Sequence, residues 1–314
     1  WEAVIAARTG QFTDMGLNRR LMGINPSFTP LALASAYASV FGAMSVQFAL
    51  FSRDRNGGDH IEVPLASALL EGLAYNCEQI EDYPDRYKSP REIELEQRAR
   101  SGDSTKLSFA ELEEFLDPFY RTYSCADGRG FYVVAGSIVS HPRRVLNVLG
   151  LESLIDELPD FDAYLDTVDW PDQWSLRNYP VGKRDRARIA GMMKAAFLKK
   201  PSYEWEQLFG EAKAPGICQR TSRDWMADEH ALASGLILET EHPEFGSMRQ
   251  AGNVAWLKDD QEASIKMPPP SPDSAPLKKI LGESPRKDES GENDGGWLEG
   301  LEVLDLTNVI AGPT

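Results

Sequence analysis

The chain has 314 residues, 42% of them hydrophobic and 26% charged, which fits about two domains of ordinary size and lies outside the composition of disordered chains. A formal net charge of −16 argues against nucleic acid as a partner, because that binding depends on Lys and Arg neutralising phosphates. Cys77, Cys125 and Cys218 lie far apart without CxxC spacing, so neither a disulfide framework nor a zinc site is indicated, and a reducing cytoplasm is the expected setting.

In chain order, residues 31–51 hold no charge and follow Pro30, a residue suited to opening a helix. The run is long enough to cross a bilayer. Its Ser, Tyr and Gln residues, and its density of Ala and Gly, favour instead a helix buried in a soluble protein, with no membrane contact. Asn56, Gly57 and Gly58 supply a stop. His60, Ile61, Glu62 and Val63 alternate like a short strand. Residues 64–80 read as a helix with Leu65, Leu69, Leu70 and Leu73 on one side. The charge-dense residues 82–114 read as a solvated excursion.

Residues 120–134 carry the strongest hairpin signal, two alternating runs around Asp127 and Gly128. Helices are expected at 142–149, 183–200 and 203–209, and a strand near Ile217. Beyond it, Ser222 is expected to N-cap a helix. Strands are expected again at 236–241 and 252–257. Residues 267–296, rich in Pro, Ser, Lys, Glu and Gly, have the composition of a flexible linker. A fresh apolar run, 297–307, then opens a further domain. The apolar stretch 303–311 reads as a core strand with nothing after it, so both ends are expected to be cuts.

The chemistry-bearing residue types give little by themselves. His60, His141, His230 and His242 show no HxxxH pair or acidic neighbour at metal spacing, so no metal is expected and a structural or surface role suits each. No GxGxxG or P-loop is present. Asp14 fits a turn as well as an active-site loop, and Arg19 and Arg20 fit a solvated face as well as an anionic substrate. Trp225, Trp256 and Trp297 read as core.

Several segments together resemble the class III CoA-transferases, the CaiB/BaiF family. They are Thr9 and Gly10, Pro30, residues 49–63 with their Arg, Asn and Gly pattern, 123–128, 214–217, 241–246, and 298–313 with its LDLT and AGP motifs. The resemblance implies an α/β fold, with a Rossmann-like large domain, a small α/β domain and interlocked protomers in most members. It divides the chain into 1–115 (C-terminal part of the large domain of copy one), 116–245 (small domain) and 246–266 (return to the large domain). Residues 267–296 form the linker, and 297–314 the first strand and loop of copy two.

In such enzymes an aspartate attacks an acyl-CoA thioester, and CoA passes through an aspartyl-CoA thioester to an acceptor carboxylate. The implied partners are coenzyme A, as acyl-CoA co-substrate, and a small carboxylic acid, with copy one facing copy two and homo-oligomers expected. The departure lies at the aspartate: its expected position is Ala34 or Ser35, and neither supplies a carboxylate. Copy one is therefore expected not to transfer, with the working Asp beyond Thr314. In copy two, Val309, Ile310, Ala311 and Gly312 match the loop beside it.

The degenerate first copy, the linker and residues 18–26 resemble the branch of the family that acts on dimethylsulfoniopropionate. This implies CoA transfer onto that acid and release of dimethyl sulfide. A carnitine-type or dicarboxylate transferase is the alternative, and so is a non-catalytic scaffold role for this half.

Overall fold

The structure of the chain is a computed structural model that describes residues 1–14, 17–24, 31–56, 60–73, 80–81, 83, 87–136, 138–158, 179–252, 298 and 300–302. The chain divides into two compact units, Trp1–Asp82 with Leu281–Thr314, and Tyr83–Ile280.

The first unit holds helices α1 (Glu2–Arg8), α2 (Gln11–Asp14), α3 (Leu17–Leu21), α4 (Leu33–Asn56) and α5 (Leu65–Leu73). Its core is small: Ala6 of α1, Ala34 of α4, and Leu69 and Leu73 of α5, with Ile5, Phe12, Leu33 and Leu65 packed against them. Gly72 permits the close approach of α5 to α4, since a Cβ there would lie 2.6 Å from the Tyr37 ring. The hydroxyls of Ser39 and Ser52 donate back to the carbonyls of Ser35 and Ala49, which is how a polar residue stays satisfied inside a helix.

Three expectations fail in this unit. Helix α4 forms and runs to Asn56, but it is not a buried helix: Val40, Met44, Val46, Leu50 and Phe51 are all exposed. Among the described residues this 24-residue helix packs chiefly against the shorter α1 and α5, which leave much of its apolar surface uncovered. Its length and composition still pass for a membrane span. Leu70 is exposed, because Leu65, Leu69 and Leu73 already form the i, i+4 row and Leu70 is turned about 100° from it. Residues 60–63 pair with no strand among the described residues.

In the second unit, α6 (Pro90–Ser101) and α7 (Phe109–Glu113) precede strands β1 (Tyr120–Ser124) and β2 (Gly130–Val134). Both helices open on a capping box, Ser89 with Glu92 and Ser108 with Glu111. The segment expected as an excursion is thus helical, though α6 buries nothing. Strand β2 lies between β1 and β3 (Gly216–Cys218), all antiparallel, with Tyr123 opposite Phe131 and Phe131 opposite Cys218.

Helices α8 (Ser140–Val148), α9 (Lys183–Phe197) and α10 (Ser202–Glu211), with a short 3₁₀ turn at Glu152–Glu157, contribute to the core against this sheet. α9 buries Arg186, Ile189, Ala190, Met193, Ala196 and Phe197, a helical row. Phe197 is the hub: its ring lies 4.9 Å from Tyr123, 5.2 Å from Phe131, 5.6 Å from Trp205 and 5.9 Å from Phe209.

Next come α11 (Ser222–Trp225), α12 (Glu229–Ala233) and a two-stranded hairpin, β4 (Ile237–His242) with β5 (Gly246–Ala251). The cap of α11 is Thr221, not Ser222, because Thr221 and Asp224 form the reciprocal capping box. β5 was not among the expected strands, and the strand expected at 252–257 falls, past Gly252, outside the described residues. Gly252 donates to the Leu236 carbonyl, and 253–257 lie outside the described residues, as do 267–296 and 303–314. The chain is thus a mixed helix and sheet protein, consistent with an α/β fold, and the strands among the described residues pair antiparallel.

Candidate functional site

The candidate position, Ala34 and Ser35, lies in the first turn of α4. The carbonyl of Ala32 accepts from the Ala36 N–H, so Ala32 holds the flanking position where Ser, Thr, Asp or Asn would supply a capping oxygen. Its methyl group cannot accept a hydrogen bond. The first backbone N–H groups of a helix then need another acceptor, and Glu2 of α1 provides it. The Ala34 N–H donates to Oε1 at 2.9 Å, and the Ser35 N–H and hydroxyl both donate to Oε2, at 2.9 and 2.5 Å. The Ser35 hydroxyl is the main cause holding the Glu2 carboxyl below its usual range, with both backbone N–H groups assisting. Ala34 is fully buried and Ser35 is exposed.

A carboxylate does stand at this turn, though residues 34 and 35 do not carry it. The Ser35 hydroxyl donates to a carboxylate that two backbone N–H groups also hold and whose pKa is lowered, which makes that carboxylate a weak base toward the hydroxyl. The side chain of Asp14 and all of Val309, Ile310, Ala311 and Gly312 lie outside the described residues. Arg19 and Arg20 sit in the last turn of α3.

The same grip recurs in the second unit. Helix α10 follows Pro201, which has no capping side chain, and the Ser202 N–H and hydroxyl donate to Asp127 Oδ2 at 3.0 and 2.7 Å. Asp127 sits in the β1–β2 turn, where its Oδ1 also accepts from the Arg129 N–H and Gly128 takes a φ of 76°. The Ser202 hydroxyl is the main cause lowering the Asp127 carboxyl.

Asp117 is a buried carboxylate that sequence reasoning did not single out. Its oxygens accept from the backbone N–H groups of Phe119 and Tyr179 at 2.8 and 2.7 Å. Burial pushes it up to about 6, against the pull of those bonds and of Arg186 and Arg121. Arg186 is itself buried, and its Nε has no acceptor among the described residues. Asp117 and Arg186 are both buried in the second unit.

The histidines remain apart. His60 lies 3.4 Å from Glu62, both exposed. His141 opens α8, and burial lowers its pKa. His230 lies in the first turn of α12. His242 accepts at Nδ1 from the Glu244 and Phe245 N–H groups and stacks on Phe245, shaping the β4–β5 turn. No group of three or more His, Cys, Asp or Glu that could hold a metal occurs among the described residues. Cys125 and Cys218 are free and buried, burial raising the Cys125 thiol to about 12.

Trp225 is 40% exposed and so not core, because α11 has only four residues and buries none of them. Trp256 and Trp297 lie outside the described residues. An open groove beside β3 is lined by Arg129, Tyr132, Ile217, Gln219, Arg220 and Asp224. Its cations are engaged already, Arg129 with Asp224 and Arg220 with Glu206.

Comparison with known proteins adds what this geometry does not. The model of CoA-transferase family III matches residues 1–274. The CoA-transferase/lyase DddD of Marinomonas sp. (strain MWYL1) is 45% identical over 327 residues, covering 99% of this chain and 39% of that protein. The chain thus spans well under half the length of this relative. Among solved structures, Rv3272 from Mycobacterium tuberculosis in its orthorhombic form superposes with a TM-score of 0.52 at 16% identity, over 82% of this chain and 57% of that one. A point mutant of Rv3272 gives a TM-score of 0.50 at 16% identity, with 82% and 56% covered. These two likenesses concern the fold alone.

Proposed function

Because the chain belongs to CoA-transferase family III, we propose that it is the non-transferring first copy of a tandem enzyme that moves CoA onto dimethylsulfoniopropionate and releases dimethyl sulfide. The observation that carries this is the 45% identity to a CoA-transferase/lyase across 99% of the chain. Restart of the family's opening motif at residues 298–313 supports the tandem arrangement.

In this reading an aspartate of copy two attacks the acyl-CoA thioester, dividing one hard transfer into easier covalent steps. Ala311 and Gly312, in the matching loop of copy two, are small, as a close backbone approach to a thioester requires. Once the propionate carries CoA, its α-proton is more acidic and the sulfonium leaves as dimethyl sulfide. Water then adds to give 3-hydroxypropionyl-CoA. Copy one contributes surface and packing: its first turn of α4 holds no nucleophile, and Ser35 is committed to Glu2. Residues 116–245 act as the small domain, 246–266 return to the large domain, and 267–296 link the copies. The cytoplasm, where CoA and reduced cysteines occur, is the proposed location.

The test uses the protein with both copies, acetyl-CoA as donor and dimethylsulfoniopropionate as acceptor. Dimethyl sulfide in the headspace is the expected result. Transfer to carnitine or a dicarboxylate without dimethyl sulfide would replace the substrate assignment. Hydroxylamine trapping with mass spectrometry should label copy two alone, and Ser35→Ala should leave the rate within a few-fold, since a non-participating hydroxyl adds little to transition-state stabilisation. A label on any residue from 1 to 267 would refute the silent-copy reading.

A further inference from the structure

Helix α4 enters its first turn without a capping residue of its own, and the donors that a cap would satisfy are three: the N–H groups of Ala34 and Ser35 and the Ser35 hydroxyl. All three point at one carboxylate, 32 or 33 residues earlier in the chain. Both oxygens of Glu2 are used, so the grip is bidentate. Charge favours it as well, since a negative group at a helix N-terminus faces the positive end of the helix dipole. The α10 start shows the same solution with Asp127 and Ser202, which marks it as a way this chain ends helices that lack a local cap.

We propose that Glu2 is a built-in anion that closes the first turn of α4, so that its carboxylate and a carboxylate on residue 34 or 35 exclude one another. A carboxylate at 35 would remove the hydroxyl that donates to Glu2 and stand as a like charge beside it, and one at 34 would bring the same repulsion. The carboxylate at this turn is carried by α1, where it joins the two helices. With both Glu2 oxygens held by α4, the turn offers no free donor from this set to an acyl group or a substrate carboxylate. The functional meaning of this closure rests on the family reading above. The occupancy of the turn does not.

The test is a double-substitution cycle on this chain, read by thermal melting. Ser35→Asp should lower the melting temperature while Glu2 is present, since it removes the hydroxyl that donates to Glu2 and sets a second anion beside it. In the Glu2→Ala background the same Ser35→Asp change should raise it, the new carboxylate then facing the positive end of the helix without a like charge beside it. An effect of equal sign and size in both backgrounds would overturn the proposal.

A second measurement uses folded protein whatever the melts give. Hydrogen exchange at the Ala34 and Ser35 amides should speed up severalfold in Glu2→Gln, with the amides deeper in α4 unchanged. Unaltered exchange at both amides would show that Glu2 does not hold them. Neither readout requires catalysis, so failure here is distinguishable from failure to form dimethyl sulfide.

Discussion

Asp117→Asn should remove a pH dependence that the buried carboxylate imposes on the second unit. The folded-state value rises from the usual 3.8 to about 6 because burial outweighs the two N–H bonds and the nearby guanidinium groups. The sign follows from which state keeps its proton. Below 3.8 both states hold it and nothing is lost. Between 3.8 and 6 the folded chain keeps the proton while the unfolded chain releases it, so stability falls as pH rises.

Above about 6 the loss is complete, and at roughly 1.4 kcal/mol per pH unit it amounts to about 3 kcal/mol. Asparagine does not titrate. Urea unfolding at several pH values from 4 to 7.5, followed by near-ultraviolet circular dichroism of the packed aromatic cluster, should show wild type losing ground to the variant by about that amount. Parallel curves would refute the argument. Wild type gaining on the variant with rising pH would mean that the Phe119 and Tyr179 N–H groups and Arg186 hold Asp117 ionised.

Three further outcomes are expected. Gly216→Ala should cost about 1–3 kcal/mol in urea unfolding, because its Cβ would lie 2.7 Å from Phe131 and 2.9 Å from Phe209 inside the core. Asp127→Ala should cost about 1–2 kcal/mol as the remote cap of α10 is lost, and Asp127→Asn should recover part of it in the same assay. Gly42→Leu should raise the stability of this chain by about 0.5–1 kcal/mol in the same assay, because glycine is a poor residue for a helix interior. No described atom lies within 4 Å of where its Cβ would stand, so no clash offsets the gain.

What could be read in advance was whatever is written locally. The β1–β2 hairpin has its turn at Asp127 and Gly128, with alternation on either side, and α9 repeats its apolar residues at helical spacing, so both follow from periodicity. The capping boxes at Ser89 and Ser108 were legible too, but charge density masked them. The grip of Glu2 on α4 was out of reach, because it joins residues 33 apart. The sole local sign was a missing one: Ala32 stands where a cap belongs. Asp117 illustrates the other limit, since nothing in its neighbours says that Tyr179 will fold over it. The burial of α4 was misjudged for a related reason. Composition reports that a helix is apolar all round, and not how much of it its partners cover.

That uncovered helix has a colloidal consequence. Exposed Val40, Met44, Leu50 and Phe51 would draw copies of the chain together, while the net charge of −16 drives them apart. At low ionic strength the repulsion reaches well beyond a helix diameter, whereas at 0.1 M salt it is screened within about 10 Å. Added salt is therefore expected to weaken the dispersal of this chain, and light scattering across a salt series would trace the point at which attraction takes over.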